Sequence, residues 1–128
     1  MHIAFSASNA SFCLSRQVGA AILDSEENIL GIGYNDVPKS DGGLYSYENG
    51  KEDRRCYLVG DRRCINDTNK QERFEELSDR IIKELKLCES QSESLKNIIR
   101  KSSFREVIEY CRATHAEMEA LLSVARTS

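Results

Sequence analysis

Residues 17–24 (QVGAAILD) and 29–34 (ILGIGY) are short apolar runs separated only by the polar stretch Ser25-Glu26-Glu27-Asn28. Each is brief, rich in aliphatic residues and bounded by polar ones, and reads as a strand. A connection this short cannot hold a crossover helix, so the two strands pair antiparallel. A hairpin near the N-terminus thus constrains whatever the rest of the chain does. Gly31 and Gly33 weaken the second strand intrinsically, and glycines inside a strand mark places where another backbone comes close.

Around this hairpin the spacing predicts helices. Ile3, Ala4, Ala7, Ala10 and Leu14 fit a helix over residues 3–14. From Asn35 to about Asn69 no period persists; Pro38, Gly42, Gly43, Gly50 and Gly60 punctuate a connection expected to be mostly irregular. Phe74, Leu77, Ile81, Leu85 and Cys88 then step by three or four and predict a helix, with a shorter one at Leu95, Ile98 and Ile99. Ser103-Phe104-Arg105-Glu106 has the form of a capping box, with Phe104, Val107, Ile108 and Cys111 on one face. A last helix begins near His115 and is expected to bury Met118, Leu121, Leu122 and Ala125. The pattern mixes one hairpin with several helices, and 128 residues give one domain.

Composition narrows the partners. The net charge is -3 and the isoelectric point about 5.5. A protein that binds long nucleic acid usually carries a basic excess, so a nucleic-acid polymer is disfavoured. A small phosphorylated ligand needs only a few arginines and remains open. No apolar run approaches the roughly 20 residues of a membrane span, so a membrane is not an expected partner. The residues after Met1 lack the basic start of a secretory signal. Five cysteines, at 13, 56, 64, 88 and 111, form no disulfide framework and point to reduced thiols in a cytoplasmic protein.

Thr114-His115-Ala116-Glu117 opens the last helix. Taken alone it has a plain explanation, since Thr114-x-x-Glu117 fits a capping box. Residues two apart in a helix also point about 200° away from each other, so the spacing does not put His115 and Glu117 on one face. More of the chain bears on the choice. Ser15-Arg16-Gln17-Val18-Gly19-Ala20-Ala21-Ile22 with Ile29-Leu30-Gly31-Ile32-Gly33-Tyr34-Asn35 resembles the opening hairpin of deoxycytidylate deaminases, and residues 112–121 (RATHAEMEAL) resemble their zinc helix. Asn35-Asp36-Val37-Pro38-Lys39, Gly42-Gly43-Leu44-Tyr45 and the arginine-rich stretch after them are most similar to the deaminase domain of bacterial antiviral dCTP deaminases.

The resemblance implies a cytidine-deaminase-like α/β/α sandwich, here its first hairpin plus helices, with an insertion over about 36–111. It implies that His115 is a zinc ligand and Glu117 the proton shuttle beside the zinc-bound water. A catalytic zinc takes three protein ligands. The other two belong to a Pro-Cys-x-x-Cys motif expected beyond Ser128, so this chain is expected to be part of a larger deaminase domain, to hold zinc weakly or not at all, and to be inactive alone. Asn35 resembles the asparagine that hydrogen-bonds the sugar. Arg16 and Lys39 are candidate phosphate contacts, with a plain surface charge the other reading of Arg16. Arg54, Arg55, Arg62 and Arg63 form either a triphosphate cluster or a solvated charged loop. The implied substrate is a deoxycytidine nucleotide, dCMP or dCTP. Two other readings stay open: a non-catalytic nucleotide-binding or assembly module, and a deaminase of another base. An incomplete sheet with open edges also predicts homo-oligomers.

Overall fold

The computed structural model describes residues 1–106 and 110–127, the side chains of Tyr47, Phe104 and Arg105 apart. The chain is mixed α/β and divides into two compact units, Met1–Cys64 with Arg112–Ser128 and Ile65–Cys111.

In the first unit, β1 (Gly19–Leu23) and β2 (Ile29–Tyr34) form the antiparallel hairpin read from the sequence. Asp24 organises its turn. Its Oδ1 accepts the amides of Glu26 and Asn28 at 2.9 and 2.8 Å, and its Oδ2 accepts Asn28 Nδ2 at 2.9 Å. These bonds, the Asn28 side chain first, hold the Asp24 carboxyl below its ordinary pKa. At the open end the ladder is continued by a side chain. The Asn35 amide N–H donates to Val18 O, and Asn35 Oδ1 accepts Val18 N at 2.6 Å. Side chains that are cross-strand partners share a face. Ala20 with Gly33 and Ile22 with Gly31 lie on one face; Gly19 with Tyr34 and Ala21 with Ile32 lie on the other.

A helix packs on each face. The last helix of the unit, Ala116–Thr127, crosses the Gly31–Gly33 face. A Cβ at Gly33 would stand 2.2 Å from both Ala116 O and Ala120 N, and one at Gly31 would stand 2.5 Å from Val124 Cγ2. The first helix, α1 (His2–Ser8), crosses the opposite face, where a Cβ at Gly19 would stand 2.0 Å from Ala4 O. The glycines therefore mark close backbone approach, as their place in a strand predicts.

This close approach overturns the expected packing of the last helix. Met118, Leu121, Leu122 and Ala125 are exposed, whereas Ala116, Glu119 and Ala120 are buried. A glycine strand lets the helix backbone come so near that only alanine fits between, and the large side chains turn to the other side. α1 is also shorter than its apolar spacing predicts. Its end is held by Ser8 Oγ donating to Phe5 O, and Ser11 Oγ turns instead to Asn35 O at 2.5 Å. Serines that bond nearby main chain in this way compete with helix continuation.

The segment after β2 is more ordered than expected. Pro38 bridges Leu44, a 3-10 helix spans Tyr47–Glu52, and α2 spans Cys56–Val59.

The second unit is a pair of helices, α3 (Ile65–Leu85) and α4 (Glu89–Lys101). α3 starts nine residues before the Phe74 that opens the apolar pattern, because its first turns are polar and carry no period. Phe74 and Ser78 are its buried centre, Arg100 lies over the Phe74 ring at 5.5 Å, and Lys96 pairs with Asp79 at 3.8 Å. A short 3-10 helix follows at Ser103–Glu106; the predicted face at Val107 and Ile108 lies outside the described residues. With α1 to α4 numbered, the helix at Ala116–Thr127 is α5. No described helix is long and apolar enough to cross a membrane.

Candidate functional site at the start of the last helix

α5 begins where β2 ends. The Thr114 amide donates to Asp36 O at 2.9 Å, and the Thr114 hydroxyl donates to the same oxygen at 3.3 Å. His115 follows as the helix cap, its carbonyl accepting Glu119 N at 3.1 Å. The capping box open to Thr114 and Glu117 is therefore not formed, since the helix starts one residue later with His115 at its cap, and the Thr114 N–H that Glu117 would accept goes to Asp36 O. The His115 and Glu117 side chains are both exposed, Glu117 on the first turn of α5.

Asn35 immediately precedes Asp36, so it and His115 flank the same strand-to-helix contact. Its Nδ2 donates to Arg16 O at 2.7 Å while its Oδ1 holds Val18 N. An amide oxygen has two lone pairs and an amide nitrogen two hydrogens. Asn35 thus has one further acceptor and one further donor place beyond its main-chain bonds. Arg16 is tied into this corner by its carbonyl and has an exposed side chain. Lys39 lies on a separate tight turn, its N–H donating to Gly43 O at 2.9 Å, with Gly42 and Gly43 supplying the positive φ the turn needs. Among the described residues no hydrogen bond or ion pair joins Lys39 to the other four.

Beneath the corner lies a buried ionic cluster that the sequence reading missed. The sequence places Arg55 with Arg54, Arg62 and Arg63, in either a phosphate cluster or a solvated loop; the structure separates it from them. Arg54, Arg62 and Arg63 are exposed, while Arg55 is 2 % exposed, beside Asp36 at 1 % and Asp53 at 5 %. The Arg55 guanidinium grips Asp53 through Nε and Nη2, at 2.8 and 2.5 Å from Oδ2, and its Nη1 stands 3.7 Å from Asp36 Oδ2. It also stacks over the Phe12 ring at 4.3 Å and lies 5.5 Å from the Tyr57 ring. Asp36 Oδ1 accepts Val37 N at 2.8 Å and its Oδ2 accepts Phe12 N at 3.3 Å. Nearby, Arg112 donates to Arg54 O at 3.0 Å.

The two carboxyls are shifted in opposite directions. Burial raises Asp36, and the main-chain N–H bonds and Arg55 only partly offset it. Burial acts the same way on Asp53, but hydrogen bonds from Arg55 outweigh it and hold that carboxyl below its ordinary value. Arg55 is raised despite burial, chiefly by its bonds to Asp53. Tyr34, at the end of β2, is raised by burial and by the Asp36 charge. A second missed carboxylate is Glu119, buried on α5 and paired with Arg126. The sequence signal for the cluster is Asp53-x-Arg55 alone, and neither these residues nor Asp36 sits in an apolar pattern that would announce burial.

A zinc site needs more than His115. Among the described residues no group of three or more His, Cys, Asp or Glu side chains is placed to hold a metal ion. Cys111 is exposed and lies before the helix, so the helical spacing it would need to act with His115 is not formed. The described residues alone do not fit a catalytic zinc. No protein-family model, no curated protein and no solved structure matches the chain at a significant level.

Proposed function

We propose that this chain carries the histidine–glutamate half of an active site that hydrolytically deaminates a cytosine deoxynucleotide, dCMP or dCTP. The observation that carries the reading is the corner itself: His115 caps a helix whose preceding residue is bonded to Asp36, the neighbour of Asn35. A hairpin with one helix on each face also suits the sandwich that such a domain requires. In the reaction the water oxygen adds to C4 of the ring, and the C4–N bond to the exocyclic amine then breaks. Glu117 takes one proton from the water and gives it to the ring nitrogen, then takes the second from the new C4 hydroxyl and gives it to the amine, which departs as ammonia. Its exposure on the first turn of α5 leaves the carboxylate free to do so. Asn35 uses its spare donor and acceptor on the sugar, and Arg16 and Lys39 are the proposed phosphate contacts. His115 is one donor toward a zinc; the chemistry that belongs to this chain alone is the handling of the proton.

The rival reading is a nucleotide-binding or assembly module without catalysis, and a three-ligand group missing from the described residues fits both readings. Two variants separate the readings in the natural polypeptide that carries this sequence. With dCMP and dCTP as substrates, Glu117→Ala should lower turnover by about 10²–10⁴-fold, the usual range for a lost acid–base group, and leave the zinc content unchanged. His115→Ala should lose zinc and turnover together. Wild-type protein that deaminates neither nucleotide, or Glu117→Ala protein with near-normal turnover, would overturn the deaminase assignment.

A further inference from the structure

We propose that Arg55 and Asp36 are positioning residues for the corner that presents His115 and Asn35, an inference that rests on reading that corner as the site. Arg55 and Asp36 stand at the two ends of the stretch between β2 and α2, and both are buried. Through one carboxylate Asp36 holds Phe12 N and Val37 N, and through its carbonyl it holds the start of α5 at Thr114. Arg55 stands beside that carboxylate at 3.7 Å, an ion pair and not a hydrogen bond, and is itself fixed by Asp53 and the Phe12 ring. Asn35 and His115 are the residues on either side of the Asp36–Thr114 bond, so a shift of Asp36 moves both.

Stability alone does not account for the arrangement. Taking charges out of water costs more than their mutual attraction commonly returns, and apolar replacements of similar volume are often as stable. What the cluster supplies is a fixed geometry, because the guanidinium fork on Asp53 and the two main-chain N–H donors to Asp36 each admit one placement. A site is held to its working geometry by such supporting bonds. Arg55→Lys keeps the charge and removes the fork, which makes it the informative change. Asp36→Asn keeps the size and removes the charge, and serves as a second variant should the first fail to fold.

The first measurement needs no activity. In the whole protein, amide exchange over residues 112–118 and the His115 imidazole resonances are followed by NMR. Arg55→Lys should speed exchange there by about tenfold or more, as expected of a local opening, and shift the His115 signals, with the strands at 19–23 and 29–34 unchanged. The second is steady-state deamination, where kcat should fall by about 10²-fold with little change in KM, the signature of misplaced groups. Unchanged His115 signals and exchange, or equal acceleration in the hairpin, would overturn the proposal, the latter because the cluster would then be general support. If the wild-type protein turns over neither nucleotide, the deaminase reading falls, and the NMR result still decides whether Arg55 sets the corner.

Discussion

Asp36 and Asp53 face the same guanidinium and should answer opposite questions about pH. Asp53 is depressed in the folded state, so its contribution is present above the unfolded value of about 3.9 and is lost as pH falls through the folded one. Asp36 is raised, so its contribution to folding is present below about 3.9 and is lost as pH rises through its folded value. At neutral pH the Asp53 charge therefore stabilises and the Asp36 charge opposes folding. Asp53→Asn should cost about 3 kcal/mol at pH 7, the scale of breaking a buried pair. Asp36→Asn should change stability by less than about 1 kcal/mol, because relief of a buried charge offsets the one main-chain N–H bond that the amide NH2 cannot accept. Urea denaturation of the three proteins at pH 7 and pH 3 checks both. A loss in Asp36→Asn equal to that in Asp53→Asn would show that the Asp36 charge holds the fold together. Little of this was legible beforehand. His115, Glu117 and Asn35 stand out because their residue types carry chemistry at recognisable spacing. Asp36 and Arg55 do not, because a pairing across the loop from β2 depends on how that loop folds back, and charges in a glycine-punctuated segment look solvated.

The hairpin was legible for the reason the buried cluster was not: two apolar runs with a four-residue polar link admit one pairing. The face of α5 was misread because apolar periodicity ranks side chains by size, and the contact made here selects for smallness. Gly31 and Gly33 carried that information, and the spacing of Met118, Leu121 and Leu122 drowned it out. The contact is testable by adding a single methyl group. At Gly33 a Cβ meets main-chain atoms of Ala116 and Ala120, which cannot swing aside. At Gly31 the nearest atom belongs to the Val124 side chain, which can give way in part, although Ala120 O is also only 2.8 Å away. Gly33→Ala should therefore cost about 3 kcal/mol, the upper range for overpacking, or roughly 10 °C or more in Tm for a unit of this size. Gly31→Ala should cost less. Thermal unfolding followed by circular dichroism ranks them, and a Gly33→Ala protein with unchanged Tm would mean that α5 does not lie on that strand as described.

At the scale of the whole molecule the two units differ in how much each can hold by itself. The first has a hairpin covered on both faces, with Ala7, Ala116 and Ala120 between layers, and a bonded corner joining α5 to β2. The second has two helices whose buried centre among the described residues comprises Phe74, Ser78 and Asn66, with Leu77, Leu85 and Ile98 exposed. Apolar spacing alone would assign both regions a firm core, since α3 has the clearest helical period in the chain. Periodicity reports which face is apolar and says nothing of whether enough partner surface exists to cover it. Chains below about 40 residues seldom bury enough apolar surface to be stable unaided, and a unit spanning 65–111 is only slightly longer. Local opening free energy follows buried apolar contact. Amides of α3 between residues 69 and 85 should thus exchange at least about tenfold faster than those of β1 and β2, since 1.4 kcal/mol of opening free energy is tenfold. Native-state hydrogen exchange on the intact chain gives the comparison residue by residue. Equal protection in α3 and the hairpin would show that the helix pair draws its stability from outside its own core.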